Sequence, residues 1–171
     1  IGVISSPDEI EVVGHRVVHG GESFSNTIII NDAVKDKIKS LFSLAPLHNP
    51  PNYLGIEVSE KVFTSAKQVA VFDTAFHQTI PPIAYRIAIP NEFYKQDGIR
   101  NYGFHGTSHK YVTEKTVGIL NKKDSKIITV HLGNGCSITA VRDGKSIDHS
   151  LGFGPMNGLI MGTRSGDIDQ S

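Results

Sequence analysis

Residues 127–150, IITVHLGNGCSITAVRDGKSIDHS, contain the pattern that decides the fold. The apolar run Ile127–Leu132 has the length of a strand, and Cys136–Val141 alternates as a strand does. Asp143-Gly144 is a favoured hairpin dipeptide, and strand-like sequence follows it at Ser146–His149. The stretch therefore predicts three short strands that are joined by two tight turns.

The turn Gly133-Asn134-Gly135 between the first two strands has two interpretations. Glycine and asparagine tolerate positive φ at low cost, which makes this tripeptide a turn signal. Backbone N–H groups without a neighbouring Cβ can also bind a phosphate, so the turn is a candidate phosphate-binding loop. Short glycine-rich motifs are weakly specific, and an ordinary β-hairpin therefore stays an open alternative at this point.

The composition limits the class of protein. The chain has 171 residues with 17 basic and 17 acidic side chains, so its formal charge is zero with histidine neutral. This length suits one domain or parts of two, and the even charge balance argues against a nucleic-acid or anionic-membrane partner. The single cysteine, Cys136, excludes an internal disulfide and favours a reducing compartment. With no long apolar run and no initiator methionine, we expect a cytoplasmic protein of which this chain is an internal part.

The first part of the sequence predicts a strand, a helix and a second strand. Arg16 lies within the first strand, and Asp73 follows the second directly. The first strand-like segment is Glu9–Val18, where Arg16 either faces solvent or supplies a fixed cation. Asn31-Asp32 predicts a helix N-cap. The apolar face of that helix is predicted at Val34, Ile38, Leu41 and Phe42. Asp73 is the first polar residue after a strand at Gln68–Phe72, a position that suits Mg²⁺ or the capping of the next turn.

Prolines mark two connecting segments. Leu44–Asn52, LAPLHNPPN, predicts an extended, rigid loop that fixes His48, although an ordinary turn histidine is equally consistent. Pro50-Pro51 can begin the next helix. Apolar residues recur every four positions in that helix, at Leu54, Val58 and Val62. Residues 75–90 contain three further prolines and little periodicity, which predicts a connector between two domains.

Residues 102–111, YGFHGTSHKY, predict the start of a helix that Thr107 or Ser108 caps. Its apolar face is predicted at Tyr111, Val112, Ile119 and Leu120. His105 would lie just before the helix N-terminus, where anions are favoured, although a histidine near a cap is more often structural. The glycine-rich residues 151–171 predict loops, with Arg164 as their one cation.

Seven residues in rigid or glycine-rich surroundings have side chains that phosphoryl transfer can use: Arg16, His48, Asp73, His105, His131, Asn134 and Arg164. Catalysis of that reaction depends mainly on positioning and on neutralising phosphate charge. Each signal is weak alone, but together they favour a phosphotransferase. The eight histidines and one cysteine do not form a zinc motif.

Six segments resemble the acetate kinase (acetokinase) family of the actin/Hsp70/sugar-kinase superfamily, in chain order and over the whole length. They are GHRVVHGGE, LAPLHNPPN, VFDTAFHQT, NYGFHGTSH, HLGNGCSI and GLIMGTRSGDID. The resemblance implies an α/β, ribonuclease H-like (actin-like ATPase) fold with parts of two duplicated α/β domains. Residues 1–76 would be the C-terminal part of the first domain. Residues 77–171 would begin the second, nucleotide-phosphate-binding domain.

The resemblance also implies a reaction: reversible, direct in-line transfer of the ATP γ-phosphoryl group to acetate, with Mg²⁺ or Mn²⁺, giving acetyl phosphate and ADP. It implies that Arg16 and Arg164 clamp the carboxylate and the phosphoryl group, for which guanidinium groups are suited. It implies that His105 stabilises the equatorial phosphoryl oxygens and that His48 assists. Asp73 would orient Mg²⁺ or the nucleophile. We do not expect a general base, because a carboxylic acid with a pKa of about 4–5 is already ionised at neutral pH.

The same resemblance implies two sets of binding residues. The nucleotide phosphates would be bound by His131, Leu132, Gly133, Asn134 and Gly135. The acyl group would be bound by Val18, Leu47, Phe104 and Pro155. Because a valine helps to close the pocket after one carbon, and one methylene is worth only about 1–3 kcal/mol, we expect acetate to be preferred and propionate to be accepted.

The departures from the family define what this chain should lack. The family's opening strand with an asparagine, its first phosphate turn, its adenosine segment and a Mg²⁺-associated glutamate have no counterpart here. We therefore expect an incomplete metal site and no activity for the chain alone, with a homodimer for the full-length protein. The alternatives are a propionate or butyrate kinase, and a non-catalytic nucleotide-binding protein of the actin/Hsp70 superfamily.

Overall fold

The structure, a computed structural model, describes residues 2–169, which divide into two compact units between Asp73 and Thr74. The described part of the first unit contains strands and helices in this order: β1 (Val12–Val17), β2 (Ile28–Ile29), α1 (Asp32–Ser40), α2 (Asn49–Val62) and β3 (Lys67–Phe72). A short 3-10 helix at Pro7–Glu9 precedes them. The predicted strands at both ends of this unit are therefore confirmed.

The sheet of the first unit has β3 at its centre. β3 pairs in parallel with β1, with Val17 opposite Phe72, and in antiparallel with β2. Because the carboxyl ends of two parallel strands lie at the same edge of a sheet, the residues that follow β1 and β3 emerge side by side. This places the loop that begins at Val18 next to Asp73, whose backbone N–H donates to Val17 O at 3.0 Å.

Helix α1 begins as the sequence predicts. The Asn31 side chain accepts a hydrogen bond from Val34 N at 2.9 Å, which confirms the N-cap. Val34 and Ile38 are buried, but the helix ends at Ser40, so the last two residues of the predicted apolar face lie in the turns that follow.

The prediction of an extended loop at residues 44–52 is wrong. The segment forms successive helical turns, with Leu44 N donating to Leu41 O and His48 N to Ala45 O. Pro50 and Pro51 occupy the first turn of α2, as predicted, because a proline lacks the N–H that this turn leaves unbonded.

Helix α2 does not bury the face that its apolar spacing predicts. Leu54, Val58 and Val62 are 59%, 51% and 49% exposed. The buried residues of α2 are instead Asn49, Tyr53, Ile56 and Ser59. Two of these are polar and use their side chains inside the unit, so a count of apolar residues alone selects the wrong face.

The described part of the second unit begins with helices and ends with a sheet. Its elements are a 3-10 helix (Ala75–Thr79), α3 (Pro82–Tyr85), α4 (Asn91–Asp97), α5 (Gly106–Leu120), β4 (Lys126–Leu132), β5 (Cys136–Arg142) and β6 (Lys145–His149). The prediction of a plain connector at residues 75–90 is wrong, because that segment contains two short helices and the fully buried His77.

The three predicted strands of residues 127–150 are confirmed as an antiparallel sheet in the order β4-β5-β6. Leu132 pairs with Cys136 around the first turn, and Arg142 pairs with Lys145 around the second. In the second turn Asp143 and Gly144 both have positive φ, 54° and 75°. This is the two-residue hairpin geometry that such a dipeptide favours.

Helix α5 differs from its prediction at both the cap and the buried face. Its N-cap is His105, which has φ 57° and ψ 24°, and Thr107 and Ser108 lie inside the first turn. The predicted apolar face is exposed, as the exposed fractions of Tyr111 (60%), Val112 (38%), Ile119 (84%) and Leu120 (56%) indicate. The helix buries His109 and Thr113 instead, since its inner face meets polar side chains of the sheet.

Residues 150–169 follow β6 as turns and bends without a helix or strand, which agrees with the predicted loops. Leu151 and Met161 anchor this segment in the second unit. None of the helices within residues 2–169 is both long and apolar enough to cross a membrane.

Candidate functional site

The first unit contains an ion pair at the carboxyl edge of its sheet. Arg16 Nε donates to Asp73 Oδ1 at 3.0 Å, and Nη2 donates to Oδ2 at 2.6 Å. The Arg16 side chain is 66% exposed, whereas that of Asp73 is 3% exposed. The hydrogen bond with Asp73 raises the pKa of Arg16 above its ordinary value. A guanidinium has five N–H donors, so this pairing leaves others that can bind an anion from solvent.

Both carboxylate oxygens of Asp73 face the Arg16 guanidinium, and each oxygen keeps a second lone pair. Each of these oxygens accepts one N–H from Arg16. Within the described residues, no group of three or more histidine, cysteine, aspartate or glutamate side chains is placed to hold a metal ion. What Asp73 does here is orient the Arg16 guanidinium.

The loop after β1 is fixed by two asparagines of α2. Asn49 is fully buried; its Oδ1 accepts from His19 N at 3.0 Å, and its Nδ2 donates to His19 O at 2.9 Å. Asn52 Oδ1 accepts from Val18 N at 3.1 Å. A Cβ on Gly20 would approach the Phe72 ring to 3.0 Å, so a larger residue there would require the ring to shift. Val18, the candidate acyl contact, is therefore held in one position and is 8% exposed.

Two other predicted site residues of the first unit are exposed. Leu47 is 82% exposed, and His48 is the exposed N-cap residue of α2 without a side-chain capping bond. The structure thus pairs Arg16 with Asp73 and fixes Val18 nearby, but it does not bring Leu47 or His48 into that hydrogen-bonded group.

The second unit contains a stacked pair of histidines at the start of α5. The rings of His105 and His131 are 4.2 Å apart and 21° from parallel. His105 Nδ1 lies 2.9 Å from Ser137 Oγ, and His131 Nδ1 lies 2.9 Å from Ser108 Oγ. Both rings are half-buried, so each is held on one side by the protein and reaches solvent on the other.

The glycine turn between β4 and β5 lies against an arginine. A Cβ on Gly135 would be 3.0 Å from Nη1 and 3.1 Å from Nη2 of Arg164. Arg164 Nη1 also donates to Pro155 O at 3.0 Å. A Cβ on Gly133 would come within 3.3 Å of His131 Nε2, so the histidine pair borders the same turn. The turn, Arg164 and the two histidines therefore form one group with cationic and N–H donor character.

The expected use of positive φ in this turn is wrong. None of Gly133, Asn134 and Gly135, all of them described, has positive φ, and Gly133 N instead donates to Gly135 O at 3.0 Å. The absence of a Cβ at Gly135 leaves room for the Arg164 guanidinium, which would have to shift for a side chain there. Gly133, Asn134 and Leu132 are exposed, so their backbone groups can be reached by a ligand.

A second pair of histidines holds the backbone of Phe104. His77 Nε2 lies 2.9 Å from Phe104 O, and Phe104 N donates to His149 Nε2 at 3.1 Å. His77 therefore carries its proton on Nε2 and its Nδ1 accepts from the Ser146 hydroxyl at 2.9 Å. Because Phe104 precedes His105, this arrangement also fixes the start of α5.

Burial keeps three of these histidines neutral. It lowers the pKa of His77 to about 3 and that of His109 to about 4, and it also lowers the pKa of His149. Sequence reasoning missed all three, because a histidine inside a polar core has no apolar signature. One signal was available: His109 follows His105 by four residues in NYGFHGTSH, so it lies in the first turn of the helix that His105 precedes.

Comparison with known proteins places these features in a family. A sequence profile described as "Acetokinase family" matches residues 1–171. The chain belongs to the acetokinase family. It is 66% identical over 170 residues to the acetate kinase of Flavobacterium johnsoniae, covering 99% of this chain and 43% of that protein.

Two solved structures of the acetokinase family superimpose closely on the chain. Porphyromonas gingivalis acetate kinase matches with a TM-score of 0.93 and 51% identity, over 99% of this chain and 43% of that one. A propionate kinase from Francisella tularensis matches with a TM-score of 0.90 and 55% identity, over 93% and 41%. The chain therefore has the predicted α/β, ribonuclease H-like (actin-like ATPase) fold and spans less than half the length of these relatives.

Proposed function

We propose that the complete protein transfers the γ-phosphoryl group of ATP reversibly to acetate, giving acetyl phosphate and ADP. The observation that carries this proposal is the packing of Arg164 on the glycine turn beside the His105–His131 pair. A fixed guanidinium, two imidazoles and backbone N–H groups are suited to the charge of a phosphoryl group in transfer. A protein that only binds nucleotide has no need for this combination.

The carboxylate acceptor is proposed to bind to Arg16. Its guanidinium is oriented by Asp73 and exposed on the opposite side, so an acetate oxygen can accept the remaining N–H donors. Acetate is ionised at neutral pH and attacks phosphorus without losing a proton, so Asp73 is not proposed as a base. In the forward direction the carboxylate oxygen bonds to the γ-phosphorus while the bond to the β-γ bridging oxygen breaks.

The donor phosphates are proposed to bind at residues 131–135. Arg164 then neutralises charge on the transferring phosphoryl group, His105 stabilises its equatorial oxygens by donating a hydrogen bond, and His48 assists. ATP is proposed to enter as its Mg²⁺ or Mn²⁺ complex. Asp73 is proposed, from the family resemblance, to orient that metal ion or the nucleophile, and no step is assigned to the metal.

Acyl-chain length is proposed, from the family resemblance, to be limited by contacts with Val18, Leu47, Phe104 and Pro155. Val18 and Phe104 are buried and held by backbone hydrogen bonds, which supports a defined limit on size. Propionate is the second candidate acceptor, since a solved relative with 55% identity is named a propionate kinase. The family resemblance further supports the domain boundary at residues 76 and 77, a homodimer and a cytoplasmic location as predictions.

The test is acyl-phosphate formation by the full-length protein with Mg-ATP and acetate, propionate or butyrate. We expect kcat/KM for acetate to exceed that for propionate by about tenfold, the value of one methylene. Arg16→Gln should reduce kcat/KM for every acid, whereas Lys110→Gln, at an exposed 3.9 Å ion pair, should not. Folded protein that binds ATP but makes no acyl phosphate from any of the three acids would contradict the proposal.

A further inference from the structure

A continuous chain of hydrogen bonds leads from His105 into the interior of the second unit. His105 Nδ1 is 2.9 Å from Ser137 Oγ, which is 2.8 Å from His109 Nε2. His109 Nδ1 is in turn 2.7 Å from Thr129 Oγ1. Ser137, His109 and Thr129 are 0%, 1% and 1% exposed, so solvent does not replace any of these partners.

We propose that Ser137, His109 and Thr129 are positioning residues that hold neutral His105 in the tautomer with its proton on Nε2. The inference deepens the proposed function, because it specifies how the phosphoryl-stabilising histidine presents a hydrogen-bond donor. It concerns the supporting residues, none of which is proposed to touch a substrate.

The positions of the protons along this chain depend on one another. A neutral imidazole has one donor nitrogen and one acceptor nitrogen, and a hydroxyl has a single hydrogen to donate. His109 is neutral, since burial lowers its pKa to about 4. Two arrangements make all three bonds and use the Ser137 hydrogen as a donor; a third, in which Ser137 accepts from both rings, leaves that hydrogen buried without an acceptor among the described residues and is unfavourable. In the first two, either both hydroxyls donate toward ring Nδ1 atoms, or both imidazoles donate from Nδ1 toward hydroxyls.

Thr129 distinguishes the two arrangements. Within residues 2–169, the Thr129 hydroxyl has no hydrogen-bond partner other than His109. If His109 Nδ1 donated to it, the hydroxyl hydrogen would be buried without an acceptor, which is unfavourable. Thr129 therefore donates to His109 Nδ1, His109 Nε2 donates to Ser137, and Ser137 donates to His105 Nδ1. The proton of neutral His105 then lies on Nε2.

His77, one histidine of the neighbouring pair, has the same arrangement for an independent reason, whereas His149, the other, accepts from Phe104 N at Nε2 and donates from Nδ1 to Thr139. His77 must donate from Nε2, because its partner there is the Phe104 carbonyl oxygen. Its Nδ1 therefore accepts from the Ser146 hydroxyl at 2.9 Å. A serine hydroxyl thus donates to Nδ1 of a histidine twice in this unit. At His77 the carbonyl oxygen of Phe104 fixes the direction of the hydrogen bond from Ser146.

Stacking completes the constraint on His105. Its ring lies 4.2 Å from that of His131, and its backbone is held as the N-cap of α5. With Ser137 as partner of Nδ1, ring rotation would break the hydrogen bond. A donor that is oriented before the phosphoryl group arrives needs no reorganisation during transfer.

The test uses the full-length protein with 15N-labelled histidine, in which His105 is assigned by comparison with His105→Gln. Long-range 15N–1H correlations at neutral pH report which ring nitrogen carries the proton. We expect a single Nε2–H tautomer in the wild type and a mixture in Ser137→Ala. Ser146→Ala is the matched control, since it removes an equally buried serine that bonds to His77. It should leave the His105 signals unchanged.

The kinetic readout separates positioning from a general loss of stability. Ser137→Ala should lower kcat by about tenfold and change KM by less than about twofold. The loss in kcat is smaller than the roughly 10²–10³-fold loss expected when a stabilising donor is removed altogether. Ser146→Ala should keep kcat within about threefold of wild type. Should the protein make no acyl phosphate at all, the proposed function fails, and the tautomer measurement still decides this inference.

A second pair of variants covers the case in which Ser137→Ala does not fold. Thr129→Val and Thr139→Val each remove a buried hydroxyl 2.7 Å from a histidine Nδ1, but only Thr129 connects to His105. A change in the His105 tautomer in Thr129→Val alone supports the inference. If Ser137→Ala folds and its His105 signals are unchanged, the inference is overturned. If Ser137→Ala does not fold, unchanged His105 signals in Thr129→Val overturn it.

Discussion

Arg16 and Asp73 share one ion pair but differ greatly in their exposure to water. The carboxylate of Asp73 is 3% exposed, whereas the guanidinium side chain is 66% exposed. Removing the arginine leaves a buried charge without its partner, whereas removing the acid leaves a cation that water can solvate. The two substitutions should therefore have unequal effects on stability.

We predict that Arg16→Gln lowers the free energy of unfolding by about 1–2 kcal/mol and that Asp73→Asn lowers it by less than half of this. Urea unfolding of both variants beside the wild type measures the difference. Lys110→Gln, which breaks an exposed 3.9 Å pair, serves as the control and should have no measurable effect. Equal destabilisation by the two substitutions would contradict the asymmetry.

Gly135 allows Arg164 to lie on the glycine turn between β4 and β5. In Gly135→Ala the new Cβ would meet the guanidinium at 3.0 Å, and the flexible arginine would move rather than the backbone. We predict roughly tenfold weaker ATP binding by the full-length protein, with stability changed by less than about 0.5 kcal/mol. Gly154→Ala is the control, because nothing lies within 4 Å of its added Cβ. Wild-type ATP affinity in Gly135→Ala, measured by calorimetry, would show that Arg164 need not occupy this position.

Helix α2 positions the loop after β1 with side chains of its first two turns. Asn49 satisfies both backbone polar groups of His19, so it positions the loop that carries Val18. Neither group can reach solvent when Asn49 is lost, since His19 is fully buried.

We predict that Asn49→Ala destabilises the first unit by about 2–4 kcal/mol, because two buried backbone groups lose their partner. Asn52→Ala removes one bond, to Val18 N, from a half-buried position and should cost about 1 kcal/mol. Denaturant unfolding of the two variants and the wild type measures the loss in the free energy of unfolding for each substitution. A cost for Asn49→Ala no larger than that for Asn52→Ala would mean that the loop finds other partners.

The elements that the sequence predicts well are those whose signals are local. Asp143-Gly144 requires positive φ, and Asn31 caps α1 with its own side chain, so both can be recognised without knowing the rest of the fold. Helix α5 could not be predicted in this way. Its inner face carries His109 and Thr113 because the opposing strands present hydroxyls, and that pairing depends on tertiary structure.

The residues of the candidate site could be predicted from the sequence, but the residues that orient them through hydrogen bonds could not. Arg16, Asp73, His105 and Arg164 stand out from the sequence because charged or titratable groups interrupt strand-like or glycine-rich segments. The hydrogen bonds that orient them come from residues such as Ser137, which is one serine among many until the register of β5 is known. Orientation is a property of the packed sheet, and composition does not reveal it.

For the whole molecule, the histidines are distributed unevenly between the units. Of the eight, five lie in the second unit, and burial there lowers the pKa of His77 to about 3 and of His109 to about 4. In the unfolded chain these groups titrate near 6.5. Below that pH the unfolded state binds protons that the folded state does not, so the free energy of unfolding falls as the pH is lowered.

We predict that the stability of the second unit is constant above about pH 7 and declines between about pH 6.5 and 4, by up to about 1.4 kcal/mol per pH unit for each buried histidine. Hydrogen exchange at a series of pH values, corrected for intrinsic rates, measures the decline in β4 and β5. His109→Gln should flatten it, whereas His48→Gln, at an exposed site, should not. A pH-independent protection of these strands over that range would contradict the prediction.

The left-handed conformation of His105 has a consequence for engineering. A histidine at φ 57° is held in a backbone region that costs a non-glycine residue about 1 kcal/mol or more. Glycine or asparagine would occupy this cap with less strain. A library screened for heat tolerance alone should therefore enrich those residues at position 105, and the hardier proteins it returns should be poor catalysts.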